Sequence, residues 1–235
     1  MAPVIFSGEV VMKSRCESDR RIKAVFWDID GTLIDTEPLH YAVIRDWCLR
    51  RNYTLTEEDN GLLLGKSMAE KWEILRNRVP GGDTEESFRR ECARDYVRRV
   101  GTDLERSDAV AVVRRLHQLG VPQATVSNGD REVVLGNLRA LGLEKVFRFC
   151  ISAEDIRNGK PDPEPYLVAC TRMGVTPQEG VVVEDSLVGV AAGVAAGMTV
   201  VAWPKTGEKG AFGGAYRVLE DVSGFPWELF ALRGE

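Results

Sequence analysis

The order of apolar and polar positions divides this chain into two kinds of territory. Near its start, Ile22 and the run Ala24-Val25-Phe26-Trp27 are apolar and rich in strand formers, the pattern of a buried strand. The run ends abruptly at Asp28-Ile29-Asp30-Gly31-Thr32. After Glu37-Pro38 the period becomes helical. Leu39, Val43, Trp47 and Cys48 recur at helical spacing as far as Arg51, and Met68, Trp72 and Leu75 mark another amphipathic helix after Gly65. Between these, Thr56 with Asp59 is spaced to cap a short helix, and Asp83 with Glu86 predicts the start of a further one. This last helix buries Phe88, Cys92, Tyr96 and Val100 and turns Arg89, Arg90, Arg94, Arg98 and Arg99 to solvent. No strand pattern occurs in residues 38–103.

From Ser107 onward helix and strand alternate. Val110, Val113, Leu116 and Leu119 form a stripe stopped by Gly120, and residues 121–126 a strand ending in Ser127-Asn128-Gly129. Val134, Leu138 and Leu141 mark a helix stopped by Gly142, followed by a strand at 147–151 and a helix at 163–173. Residues 181–183 are a short strand ending in Glu184-Asp185. A small-residue helix at 188–196, a strand at 199–202 and an edge strand at 216–219 complete the alternation. Such alternation predicts a parallel sheet with helices on both faces. The expected fold is α/β: a three-layer Rossmann-like core at 21–37 and 104–235, with an α-helical domain inserted at 38–103. Residues 1–20 read as a leader without an assigned role, and the glycine-rich stretch 206–214 as a connector.

Composition narrows the function classes. With 235 residues, 44% hydrophobic and 29% charged, the chain can bury a sizeable core. A net charge of −5 argues against capture of nucleic acid or an anionic membrane, so an anionic substrate must be drawn by a local positive site. Five cysteines without a Cys-x-x-Cys pair suggest reduced thiols rather than zinc or disulfides. No apolar run reaches membrane-spanning length, and the N-terminal basic residues follow the apolar piece, the wrong order for a secretory signal. The expectation is a cytoplasmic protein, a monomer or small homo-oligomer.

The chemistry gathers at predicted strand ends. Alternate strand residues share a face, so Asp28 and Asp30 can present two carboxylates side by side, with Gly31 allowing a sharp turn beyond them. Two such carboxylates need a cation or a shared proton, and Mg²⁺ takes oxygen ligands while leaving room for a phosphate. Ser127 with Asn128, and Glu184 with Asp185, end two other strands; Lys160 lies in Gly159-Lys160-Pro161-Asp162-Pro163. Each has a plain reading alone: a turn former, a helix N-terminal acid pair and a solvated loop charge.

Taken together and in order, these pieces resemble the motifs of the haloacid dehalogenase superfamily, in its phosphatase and β-phosphoglucomutase-like branch. Asp28-Ile29-Asp30-Gly31-Thr32-Leu33, with Asp35-Thr36-Glu37 after it, is similar to the first motif, and Val126-Ser127-Asn128-Gly129 to the second. Gly159-Lys160-Pro161 resembles the lysine motif. Val183-Glu184-Asp185-Ser186, with Gly189, Ala192 and Gly193, resembles the acidic motif and its helix.

The resemblance implies a nucleophile at Asp28, forming an aspartyl-phosphate, and an acid–base at Asp30. It implies phosphoryl contacts from Ser127 and Lys160 with Asn128 helping, and Mg²⁺ held by Asp28, the Asp30 main chain, Asp185 and Glu184. The helical insertion becomes a cap. Gly65-Lys66-Ser67 is similar to a cap loop in which Lys66 either reaches the substrate or is simply solvated, and Glu37 and His40 resemble hinge positions. His117 reads as a surface residue.

By the same resemblance, an Asp at position 30 implies an oxygen leaving group, hence a phosphoester. The expected function is a Mg²⁺-dependent phosphatase of a small phosphorylated metabolite, a sugar phosphate first. A β-phosphoglucomutase-type phosphomutase is the alternative, and a non-catalytic binding protein on the same fold a third reading. Thr32 and Glu37 look more like phosphatase members than mutases.

Overall fold

The computed structural model describes residues 22–205 and 211–230, so the expected leader at 1–20 and part of the glycine-rich connector lie outside the described residues. In chain order the elements are β1 (Ala24–Trp27), then four helices, α1 (Glu37–Leu49), α2 (Glu57–Leu63), α3 (Met68–Leu75) and α4 (Glu85–Arg99). There follow α5 (Ser107–Gln118), β2 (Gln123–Val126), α6 (Arg131–Ala140), β3 (Cys150–Ile151) and α7 (Glu164–Met173). The last are β4 (Gly180–Glu184), α8 (Leu187–Ala195), β5 (Thr199–Ala202) and β6 (Arg217–Val218).

The strands form one parallel sheet in the order β3-β2-β1-β4-β5-β6, with β1 in the middle. Every side chain of β1 is buried because both its faces are covered. Val25 and Trp27 pack with Val110, Val113, Leu116, Val134 and Leu138 of α5 and α6. Ala24 and Phe26 pack on the other face, with Tyr166, Ala169, Val190 and Ala192 of α7 and α8. Trp27 is level with Thr125 on one side and Val183 on the other. One residue further along this register, Asp28 and Glu184 stand together at the carboxyl edge.

Helices α1–α4 build a separate hydrophobic cluster around Trp47, Trp72 and Phe88, in which the Trp47 and Phe88 rings meet edge-on at 4.8 Å. The cluster also takes in Val133 of α6, so the helical block packs against the core. Thr56 with Asp59, and Ser67 with Glu70, form reciprocal capping boxes that start α2 and α3.

The start of α4 differs from expectation. Thr84, not Asp83, is its cap and accepts from Ser87 N at 3.2 Å. Asp83 is diverted because Arg51 grips it through two bonds, of 2.6 and 2.8 Å. The arginine face of α4 is also not wholly solvated, since Arg89 forms an ion pair with Asp130 ahead of α6 and Arg99 one with Asp46 of α1.

The strand expected at 147–151 is regular only over Cys150–Ile151; the chain turns and bends over 144–148, where Phe147 packs into the core. Cys48, Cys92, Cys150 and Cys170 are free thiols. Among the described residues no helix is long and apolar enough to cross a membrane.

Candidate active site

The turn after β1 brings the first acids to the sheet edge. Gly31 has φ 91°, and a Cβ there would lie 2.0 Å from Asp185 Oδ2, so only glycine lets the two loops approach this closely. Thr32 Oγ1 donates to Asp185 Oδ1 at 3.1 Å. Arg106, just ahead of α5, ties the turn down by donating to the carbonyls of Gly31 and Trp203.

Lys160 folds in from its loop until only 9% exposed. Its ammonium donates to Asp28 Oδ1 at 2.7 Å, Glu184 Oε1 at 2.6 Å and the Val126 carbonyl at 2.7 Å, which uses all three protons. Glu184 is equally engaged: Tyr166 Oη donates to Oε1 at 2.8 Å, and Ser186 donates to Oε2 through Oγ at 3.1 Å. Gly189 makes room for it, as a Cβ there would sit 1.9 Å from the carboxylate. The Asn128 side chain clamps the Lys160 backbone, accepting from its N–H at 2.9 Å and donating to its carbonyl at 3.2 Å.

The charges do not balance. Carboxylate oxygens of Asp28, Glu184 and Asp185 lie within 4.8 Å of one another, all buried. Burial and then the charge of Glu184 push Asp28 well above the usual carboxylate range, against the pull of Lys160. Burial and Glu184 likewise push Asp185 up to about 7, although the Thr32 hydrogen bond opposes them. Burial works against the charge on Lys160, but Asp28 and Glu184 hold its pKa well above the ordinary value.

Asp28 Oδ2 is buried and has no hydrogen-bond partner. Three carboxylates facing one ammonium, with one oxygen orphaned, fit a hard divalent cation. Since the oxygens of Glu184 are taken, Asp28 and Asp185 are the side chains left to hold it.

Asp30 faces a different neighbourhood. Its Oδ2 accepts from Ser127 Oγ at 3.0 Å and its Oδ1 from Asn137 Nδ2 at 3.4 Å. Asn137, on α6, in turn accepts from Tyr96 Oη of α4 at 2.8 Å. The Tyr96 ring stacks on His40 at 4.5 Å, and burial lowers the His40 pKa, which favours the neutral imidazole. A continuous polar path therefore runs from Asp30 into the helical block.

Of the residues singled out in the sequence, Asp28, Asp30, Ser127, Asn128, Lys160, Glu184 and Asp185 meet at the sheet edge. Glu37 and His40 stand at the start of α1, within electrostatic reach of Lys71, and His40 within reach of Asp30 also. Lys66 is not drawn in: its side chain is 40% exposed and pairs with Glu70 at 3.8 Å. His117 is exposed in the last turn of α5.

Sequence reasoning passed over Lys71 and Asn137. Both carry the same overlooked signal, a polar residue inside an apolar helical stripe: Lys71 among Met68, Trp72 and Leu75, and Asn137 among Val134, Leu138 and Leu141. Tyr166 was also missed and has no local signal, and Thr32 drew notice as part of the first motif but not for the bond its hydroxyl makes to Asp185.

Comparison with known proteins adds four findings. The model of a family described as haloacid dehalogenase-like hydrolase matches residues 22–197. Hexitol phosphatase A of Escherichia coli is 34% identical over 187 residues, covering 77% of this chain and 83% of that protein. A phosphorylated carbohydrates phosphatase of Thermotoga maritima is 31% identical over 178 residues, covering 75% and 82%. Among solved structures, a Thermotoga maritima protein provisionally described as a β-phosphoglucomutase superposes with a TM-score of 0.71 at 28% identity, over 89% of this chain and 97% of that one.

Proposed function

Because this chain belongs to the haloacid dehalogenase-like hydrolases, we propose that it is a Mg²⁺-dependent phosphatase acting on a small phosphorylated carbohydrate through an aspartyl-phosphate. One observation carries the reading: Asp28 has one oxygen pinned by Lys160 and the other buried without a partner. A carboxylate so held is oriented for attack on phosphorus. Residues 38–103 are the cap over this site, and 21–37 with 104–235 supply the catalytic residues.

A carboxylate oxygen of Asp28 attacks the phosphorus, and the bond to the ester oxygen breaks. Asp30 gives its proton to that oxygen, so the alcohol leaves neutral. Asp30 then takes a proton from a water that attacks the aspartyl-phosphate, which releases inorganic phosphate and restores Asp28. The Ser127 hydroxyl and the Lys160 ammonium bear on the phosphoryl oxygens, with Asn128 holding Lys160 in position. Bound by Asp28, the Asp30 main-chain carbonyl and Asp185, with Glu184 behind, Mg²⁺ would supply positive charge between the attacking carboxylate and the phosphate.

The solved structure described as a β-phosphoglucomutase keeps a phosphomutase as the second reading. Hydrolysis is favoured because the two curated relatives, at 31% and 34% identity, are phosphatases. The test follows phosphate release from sugar and polyol phosphates with Mg²⁺ and with chelator. A second arm supplies β-glucose 1-phosphate with a trace of the 1,6-bisphosphate. Chelator-sensitive release is expected; rapid formation of glucose 6-phosphate with negligible phosphate would overturn hydrolysis in favour of the mutase.

A further inference from the structure

Lys71 of α3 is only 7% exposed, yet its ammonium makes no hydrogen bond or ion pair among the described residues. It is not sealed off, since its nitrogen is absent from the fully enclosed polar atoms that lack partners. Keeping a charge so deep and unpaired is unfavourable, and proteins seldom keep one without a partner that arrives later. Its surroundings identify the place. The charges of Glu37 and Asp30 bear on Lys71, and those of Asp30, Lys71 and Glu37 bear on His40. Trp72, next to Lys71, packs in one cluster with Leu39 and Tyr96, and Tyr96 stacks on His40 and reaches Asp30 through Asn137, so Lys71 lies on the helical-block side of the group assigned to protonate the leaving oxygen.

Glu37 is nearly as unoccupied, with a single long bond from Gly65 N at 3.5 Å. The His40 ring has its stacking contact with Tyr96 and, among the described residues, makes no side-chain hydrogen bond.

We propose that Lys71 and Glu37 together read the leaving group, and that the group they take is a neutral alcohol carrying several hydroxyls. An ammonium only donates and a carboxylate only accepts, whereas a hydroxyl does both, so neighbouring hydroxyls can satisfy the two together. A second phosphate or carboxylate on the substrate would meet Glu37 and Asp30 against one ammonium, an unfavourable balance. An apolar alcohol would displace water and leave both groups unpaired. The inference rests on the phosphatase reading and adds the residues that read the leaving group.

The experiment compares a hexitol monophosphate, n-hexyl phosphate and 4-nitrophenyl phosphate, with Mg²⁺, on the wild type and on Lys71→Met. The wild type should prefer the hexitol phosphate to hexyl phosphate by about a hundredfold or more in kcat/KM, since a site built for hydroxyls rejects analogues that lack them. Lys71→Met should raise KM for the hexitol phosphate about 10- to 100-fold, with an effect at least about tenfold smaller on 4-nitrophenyl phosphate. Its melting temperature should hold or rise, because an unpaired buried charge is gone.

A wild type indifferent to the hydroxyls overturns the inference without any variant. So does a Lys71→Met effect that is equal across the three esters, or absent. If the wild type releases phosphate from none of them, the phosphatase reading itself falls and this inference with it.

Discussion

Lys160 on the core and Lys71 on the helical block are buried to nearly the same degree, at 9% and 7% exposure, yet they are treated in opposite ways. Lys160 spends all three protons on Asp28, Glu184 and the Val126 carbonyl, and its neighbours are themselves fixed by Tyr166, Ser186 and Asn128. Among the described residues the Lys71 ammonium makes no hydrogen bond or ion pair, and the Glu37 carboxylate has one long contact. The core side is a closed network of charge-assisted bonds, rigid in position before any ligand arrives. The helical-block side keeps the Lys71 ammonium and most of the Glu37 carboxylate unspent among the described residues. This division suits a phosphoester, whose phosphoryl group is constant and whose alcohol varies.

The strongest blow to that contrast falls on the core. Asp28→Asn removes the anionic attacking oxygen and is expected to lower kcat about a thousandfold or more, because the residue acts as one unit with its neighbours. A folded variant that retains substantial turnover of any phosphoester would remove the sheet edge from the chemistry. Asp30→Asn tests the seam between the two regions. It should cost about a hundredfold to ten-thousandfold with alkyl and polyol phosphates, the span of general acid–base catalysis, and less with 4-nitrophenyl phosphate, whose leaving group needs little protonation. Equal losses on both kinds of ester, with release of the alcohol limiting, would deny Asp30 that role.

A thermodynamic reading separates the regions without turnover. Mg²⁺ at about a hundred times its dissociation constant should stabilise the wild type by about 2.7 kcal/mol. For a chain of this size that is a rise of about 5–10 °C in melting temperature. Asp185→Asn should remove most of the rise, and Lys71→Met none of it. An equal rise in both variants would place the cation elsewhere. The smallest effect belongs to Lys66→Ala: an exposed side chain paired with Glu70 should change stability by less than about 0.5 kcal/mol. Its kcat/KM across the three esters should keep the same ranking, and a reordered ranking would move substrate recognition from Lys71 to the loop before α3.

Much of this molecule was determined by the sequence alone. The two periodicities separate sheet core from helical insertion, because strand and helix repeats are local properties of the backbone. The acids and hydroxyls that meet at the sheet edge were legible for a related reason: parallel strands carry their ends to one edge, so Asp28, Ser127 and Glu184 had to converge once their strands were recognised. The partner each group takes was not legible. Asp28 and Lys160 lie 132 positions apart, and Asp30 and Asn137 are separated by 107.

Only tertiary packing decided that Glu184 is spent on Lys160 and Tyr166, leaving an oxygen of Asp28 orphaned beside Asp185. Packing also decided which lysine of the helical block is buried. Lys66 sits in a motif-like loop and drew notice, whereas Lys71 is a single charge in an apolar stripe. A stripe fixes which side of a helix turns inward, but what the helix then faces depends on how it is docked, and docking follows from the shape of the Trp47, Trp72 and Phe88 cluster against α6 rather than from any local repeat.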